Sequence, residues 1–185
     1  MFKGFRFGFT TVLADKGLKF LFDSDAKNAS TSSETKLSRL SQEMTDLAMN
    51  LPTHSSSAII VRTDNSRVDV MRAVIFGAEG TPYAHGAFLY DLFFENSYPL
   101  KPPKCYLRTG NSKVRFNPNL YNNGYVCLSL LGTWRGGANE NWEPERSTLL
   151  QILISIQAIV MGNDVYYNEP GFESSAGTPA GEKFN

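Results

Sequence analysis

The chain of 185 residues carries only two cysteines and two histidines, and those shortages set the first limits. Cys105 and Cys127 form no Cys-x-x-Cys pair, so the sequence offers neither a zinc site nor a disulfide framework. That usage fits a reducing, cytoplasmic or nuclear compartment, where a thiolate persists as a nucleophile. His54 and His85 lie far from Cys127 in sequence, so no thiol–imidazole pair is legible and both read as surface or packing residues. Charge of one sign is also missing: 18 basic residues face 18 acidic ones. Such a balance carries no field for nucleic acid or for a membrane surface. No apolar run approaches the ~18 residues of a membrane span. The N-terminus alternates Phe with Gly, Lys and Arg and has no continuous apolar signal core.

What is present is an ordinary globule, with 42% hydrophobic and 19% charged residues in a length suited to one main domain. Residues 1–33 read as an appendage. Phe2, Phe5, Phe7 and Phe9 alternate, Ala14-Asp15-Lys16-Gly17 makes a turn, and Leu18–Phe22 returns, which predicts a β-hairpin. The small polar run Asp23–Ser33 predicts a linker. Residues 34–185 then form the domain proper. Ser32 or Ser33 caps a helix over Glu34–Asn50, with Leu37, Leu40, Met44 and Leu47 as its apolar face. Ile59–Thr63, Arg67–Phe76, Ala87–Phe94 and Cys105–Thr109 are strand candidates, and their short connections predict a four-stranded antiparallel meander. Ser147–Met161 predicts a second, largely buried helix capped by Ser147. The fold class is α+β.

The chemistry concentrates in Arg115–Leu131. Cys127 follows Asn117-Pro118-Asn119 and Asn122-Asn123-Gly124, a turn-rich run that must be a loop. A thiol there is expected to be reachable, and reachable thiols are the reactive ones. Asn119 stands close enough for the loop to fold back, and its amide is a neutral donor able to stabilise an oxyanion beside a thiolate. From the residues alone, a small buried hydrophobe among turn-forming asparagines remains the competing reading.

The run Asn117-Pro118-Asn119-Leu120-Tyr121-Asn122-Asn123-Gly124-Tyr125-Val126-Cys127-Leu128 resembles the active-site segment of ubiquitin-conjugating enzymes, with Asn117 where most members carry His. Thr81-Pro82-Tyr83-Ala84-His85-Gly86-Ala87-Phe88, Tyr98-Pro99-Leu100-Lys101-Pro102-Pro103-Lys104 and Trp142-Glu143-Pro144 resemble three further family segments. The phrases Val114–Tyr121, Tyr166–Gly171 and Gly177-Thr178-Pro179 are most similar to the conjugating domain of the giant inhibitor-of-apoptosis-type hybrid enzymes, the BRUCE or apollon kind. The loop between Cys127 and Trp142 is longer than in small members, and the one or two closing helices of those members are missing. An excised or truncated domain is therefore expected.

The resemblance implies the UBC-like fold of that family and an acyl-transferring enzyme. Cys127 would carry ubiquitin, or a ubiquitin-like modifier, as a thioester, and pass it to a substrate lysine or to a ligase. Asn119 would donate to the oxyanion or hold the loop, and Glu169 would orient the incoming amine. Tyr125, Leu128 and the Trp-bearing loop would partly desolvate it. Leu100 and Pro99, with Trp142 and Pro144, would form the docking surface for partners: an activating enzyme, a ligase and protein substrates, with no nucleic acid and no membrane. No metal or organic cofactor is implied. Two other readings stand beside it: a catalytically silent ubiquitin-binding variant acting as an interaction module, and a cysteine hydrolase.

Overall fold

A computed structural model describes residues 3–29, 33–110, 113–134, 137 and 140–163. Its centre is one sheet with strands in chain order: β1 (Phe7–Thr10), β2 (Ile59–Asp64), β3 (Val70–Phe76), β4 (Ala87–Phe93) and β5 (Lys104–Leu107). Strands β2 to β5 form the expected antiparallel meander. The sheet has five strands rather than four, because β1 pairs in parallel with β2, Phe7 opposite Val61 and Thr10 opposite Asp64.

The predicted hairpin does not form. After β1 the chain turns away from the sheet edge, and Leu18–Phe22 crosses the outer face of the sheet without pairing. The reason lies in the side chains. Val12, Phe20, Phe22 and Ala26 build a second apolar cluster with Val70 and Phe93, so burial of the aromatics overrides the alternating pattern. The predicted linker contains α1 (Asp23–Asn28). Beneath this arm Asp91 is fully buried, accepting from Arg72 Nε at 2.7 Å, Arg108 Nη1 at 2.6 Å and the Leu21 amide at 2.9 Å. Three donors, two of them cationic, thus meet that carboxylate, which is what makes a buried charge tolerable.

The inner face carries the main core. Ile59, Val61, Met71, Ala73, Ile75, Tyr90 and Leu92 pack against α2 (Glu34–Asn50) and α3 (Leu149–Ser155). Ser33 caps α2, its side chain accepting from the Lys36 amide at 3.2 Å. The buried face of α2 is shifted from the expected one. Leu37 is exposed, while Lys36 and Glu43 are buried with Leu40 and Leu47. Lys36 Nζ donates to Asp69 at 2.8 Å and lies over the Phe93 ring. Glu43 accepts from Arg39 Nε at 2.9 Å, the Tyr98 hydroxyl at 2.7 Å and the Leu149 amide at 2.8 Å. The second helix begins later than expected. Thr148 caps it through a reciprocal box with Gln151, whereas the Ser147 hydroxyl accepts from the Glu143 amide at 2.9 Å. The helix then continues as one wider π-helical stretch over Ile156–Val160. The expectation of no further helix past Gly162 falls on residues outside those described.

Candidate active site

Arg115–Leu131 runs beside the end of β5 as an irregular segment held at every turn. Asn117 is the hub. It is 1% exposed and uses its full hydrogen-bonding capacity. Its Nδ2 donates to the Tyr83 hydroxyl at 2.7 Å and the Val160 carbonyl at 2.8 Å; its Oδ1 accepts from the Asn119 amide at 2.8 Å and the Leu120 amide at 2.9 Å. The residue that departs from the family pattern therefore locks the loop to the Tyr83 turn and to the end of the α3 segment.

The loop closes through a bridge between Leu120 and Val126. Gly124 makes the turn with φ +89°, and a Cβ there would meet the Leu107 carbonyl at 2.3 Å. Only glycine satisfies both demands. In return the Leu107 amide donates to the Gly124 carbonyl at 2.8 Å, which anchors the loop to β5.

Cys127 follows, 5% exposed, with its amide donating to the Asn119 carbonyl at 2.9 Å. Asn119, 8% exposed, returns the contact by donating Nδ2 to the Cys127 carbonyl at 3.2 Å. Its Oδ1 is buried and accepts no hydrogen bond from the described residues. The opposite amide orientation would set two carbonyl oxygens against each other, so this one is fixed by chemistry. Thr133 grips the chain on both sides of the thiol. Its Oγ1 accepts from the Leu128 amide at 2.9 Å and lies 2.7 Å from the Val126 carbonyl and 3.1 Å from that of Leu128. No sequence pattern marks Thr133; its role comes from the left-handed turn at Gly132, φ 65°, which folds it back.

The thiol is less open than a turn-rich loop suggests. It is reached through a cavity of about 570 Å³ that it lines with Asn119, Leu128, Trp134, Glu140 and Gln151. Neither histidine lines that cavity, and both are exposed elsewhere. Tyr125 stands two residues before the thiol. Burial and the neighbouring Cys127 hold its phenol above the ordinary tyrosine range. Cys105 is different: it sits in the main core at 4% exposure, and burial pushes its thiol far up. A thiol so held stays protonated and inert.

Of the expected docking residues, Leu100 projects at 76% exposure. It follows a cis Tyr98–Pro99 bond. Trp142 Nε1 donates to the Pro99 carbonyl at 2.7 Å, and its ring lies 5.8 Å from that of Tyr98. The Pro144 carbonyl accepts from Arg39 at 3.0 Å. Pro99, Trp142 and Pro144 thus belong to one bonded scaffold with Glu43 at its centre, and Leu100 stands on it. Glu169 lies outside the described residues, as do Tyr166–Gly171 and Gly177-Thr178-Pro179.

Comparison with known proteins bears on this arrangement. The family model of ubiquitin-conjugating enzymes matches residues 39–182. The human dual E2 ubiquitin-conjugating enzyme/E3 ubiquitin-protein ligase BIRC6 is 46% identical over 166 residues, covering 89% of this chain and 3% of the relative. The probable ubiquitin-conjugating enzyme protein 17 of Caenorhabditis elegans is 45% identical over 90% of this chain and 23% of its own length. The putative ubiquitin-conjugating enzyme E2 39 of Arabidopsis thaliana is 49% identical over 79% of this chain and 44% of its own length. The chain thus spans less than half of each of these relatives. Among solved structures, human ubiquitin-conjugating enzyme E2 G1 superposes with a TM-score of 0.53 at 26% identity, covering 71% of this chain and 97% of that one. The similarity to the human hybrid enzyme bears out the kinship read from Val114–Tyr121. On these matches, together with the meander sheet and the Asn117–Cys127 loop, the chain belongs to the ubiquitin-conjugating enzyme family.

Proposed function

We propose that Cys127 carries ubiquitin, or a close relative of it, as a thioester and delivers it to a lysine amine or to a ligase. The sulfur attacks the thioester carbonyl that joins the modifier to its activating enzyme. The oxyanion collapses with the activating enzyme's thiolate as leaving group. In the second step an amine nitrogen attacks the new thioester, the Cys127 thiolate departs, and an isopeptide bond forms as the nitrogen gives up its proton. A thioester suits this task because it is activated towards amines while keeping the acyl group mobile. The observation that supports the reading best is the pairing of Cys127 with Asn119 at the wall of one cavity. Asn119 has one Nδ2 proton engaged by the Cys127 carbonyl and a second available to an oxyanion. Glu169 orients the acceptor amine in this scheme, whose unperturbed pKa of about 10.4 must fall for attack near neutrality. Leu100 with Pro99, Trp142 and Pro144 meets the activating enzyme and ligases.

The test is a charging assay with activating enzyme, ATP and ubiquitin, run with and without reductant. A reductant-sensitive adduct supports the carrier reading. Ubiquitin binding without an adduct would instead support a silent interaction module.

A further inference from the structure

An unbroken row of rings joins the N-terminal arm to the nucleophile's own segment. Phe22, carried just before α1, lies 6.2 Å from Phe93 in a stacked arrangement and 5.4 Å edge-on from Tyr106. Tyr106, on the outer face of β5, meets Tyr125 edge-on at 5.8 Å. Tyr125 meets Tyr121 edge-on at 5.8 Å, and the Arg115 guanidinium caps that ring at 4.3 Å. Edge-to-face pairs at these separations are attractive and fix ring orientation, not only ring burial. The backbone follows the same path: Tyr106 and Tyr125 form an isolated antiparallel bridge. Phe22, Tyr106, Tyr125 and Thr133 also share the wall of a second groove of about 710 Å³. Thr133 is the side chain that grips both sides of Cys127.

The arm is tied to the sheet by side chains of β3, β4 and the residue after β5. Asp91, Arg72 and Arg108 pin Leu18, Lys19 and Leu21 to the outer face of the sheet. Phe22 is 7% exposed and packed on Val70 and Phe93, so the position of its ring is set by the sheet.

We propose that the N-terminal arm is a working part of the thioester site: Phe22 and Tyr106 are positioning residues that hold Tyr125 beside Cys127 and keep water from the face on which the acceptor amine loses its proton. The inference rests on the carrier reading above and extends it to residues that precede α2. Burial at Tyr125 is consistent with it, since that phenol is held above its ordinary range. A looser Tyr125 admits water, raises the pKa of the acceptor amine towards its value in water, and slows attack at neutral pH. Loading depends on thiolate attack on another thioester and has no amine to desolvate, so it changes little.

The experiment uses the whole chain, charged with ubiquitin and then chased with free lysine over a series of pH values. Phe22→Leu keeps an apolar side chain in the cluster but removes the ring edge; Tyr106→Phe keeps the ring and loses only the hydroxyl. The expected result is that Phe22→Leu loads normally, discharges to lysine about tenfold more slowly at pH 7, and shows its pH–rate rise displaced upward. Tyr106→Phe behaves as wild type. In a Tyr125→Leu background, Phe22→Leu has no further effect on discharge, because both changes remove the same contact. Additive effects, or loading and discharge falling together, would overturn the coupling. A Phe22→Leu chain that loads and discharges as wild type would overturn it as well. A wild-type chain that never loads overturns the carrier reading itself, which separates the two failures.

Discussion

Asn119 and Cys127 hold each other twice, once in each direction. The Cys127 amide donates to the Asn119 carbonyl at 2.9 Å, and Asn119 Nδ2 donates to the Cys127 carbonyl at 3.2 Å. The side chain expected to serve an oxyanion therefore also braces the loop at rest. One amide can do both because it carries two protons. Asn119→Ala should slow discharge of the thioester to free lysine by about 10²–10³, the usual cost of one oxyanion donor. Loading by the activating enzyme should slow much less. Single-turnover rates for the two steps check this; equal slowing would reduce Asn119 to a brace.

Asn117 sets the shape of the loop and touches no reacting atom. Removing its amide leaves the buried Asn119 N–H without its side-chain acceptor and the Val160 carbonyl without its side-chain donor, while the Leu120 N–H keeps only the Asn117 backbone carbonyl at 3.1 Å. Asn117→Ala should destabilise the chain by about 2–4 kcal/mol, given the usual cost of an orphaned buried donor. Urea unfolding measures it. Asn117→His, the side chain that most family members carry, should lose less than Asn117→Ala.

The Lys36–Asp69–Arg67 cluster gives the fold an acid limit. Burial opposes ionisation of Asp69, but hydrogen bonds from Arg67 and Lys36 outweigh it and hold the carboxyl below its usual value. A carboxylate depressed in the folded state adds stability that is complete above its unfolded pKa of about 3.9 and is lost as pH falls through the folded value. Unfolding free energy should be level above about pH 5 and drop below about pH 4. Asp69→Asn should cost about 3–5 kcal/mol at pH 7 by leaving buried Lys36 uncompensated, and should flatten the acid limb. Denaturant titrations across that range decide it.

Leu100, the proposed partner contact, stands exposed on the scaffold of Tyr98, Trp142 and Glu43. At 76% exposure it contributes little to the fold, so Leu100→Ala should change stability by no more than about 0.5 kcal/mol. Charging at limiting activating enzyme should fall. A large loss of melting temperature with unchanged charging would place Leu100 in the core instead.

Much of this was written in local sequence. The meander strands followed from β-branched runs between turns, α2 from its Ser cap and spacing, and the loop from Asn, Pro and Gly. What could not be read depends on partners distant in sequence. Lys36 and Glu43 look like solvated charges on a helix, and become core residues only because Asp69, Tyr98 and Leu149 arrive there from elsewhere. The alternating Phe residues do give a strand at Phe7–Thr10, but the returning Phe20 and Phe22 are taken by the outer face of the sheet, with Val70 and Phe93, instead of pairing as a hairpin. Cys127 was expected in the open because turns lie at the surface. The paired contacts with Asn119 and the grip of Thr133 draw it in to 5% exposure.

The two thiols supply the most direct test. Cys105 lies in the core and Cys127 at the cavity, so only one of them can hold an acyl group. The decisive measurement is the intact mass of each variant after incubation with activating enzyme, ATP and ubiquitin, before and after thiol reductant. Cys105→Ser should still gain one ubiquitin that reductant removes, while Cys127→Ser should gain none that reductant removes. A labile adduct that survives in Cys127→Ser, or its absence from the wild-type chain, would contradict the assignment of Cys127 as the carrier.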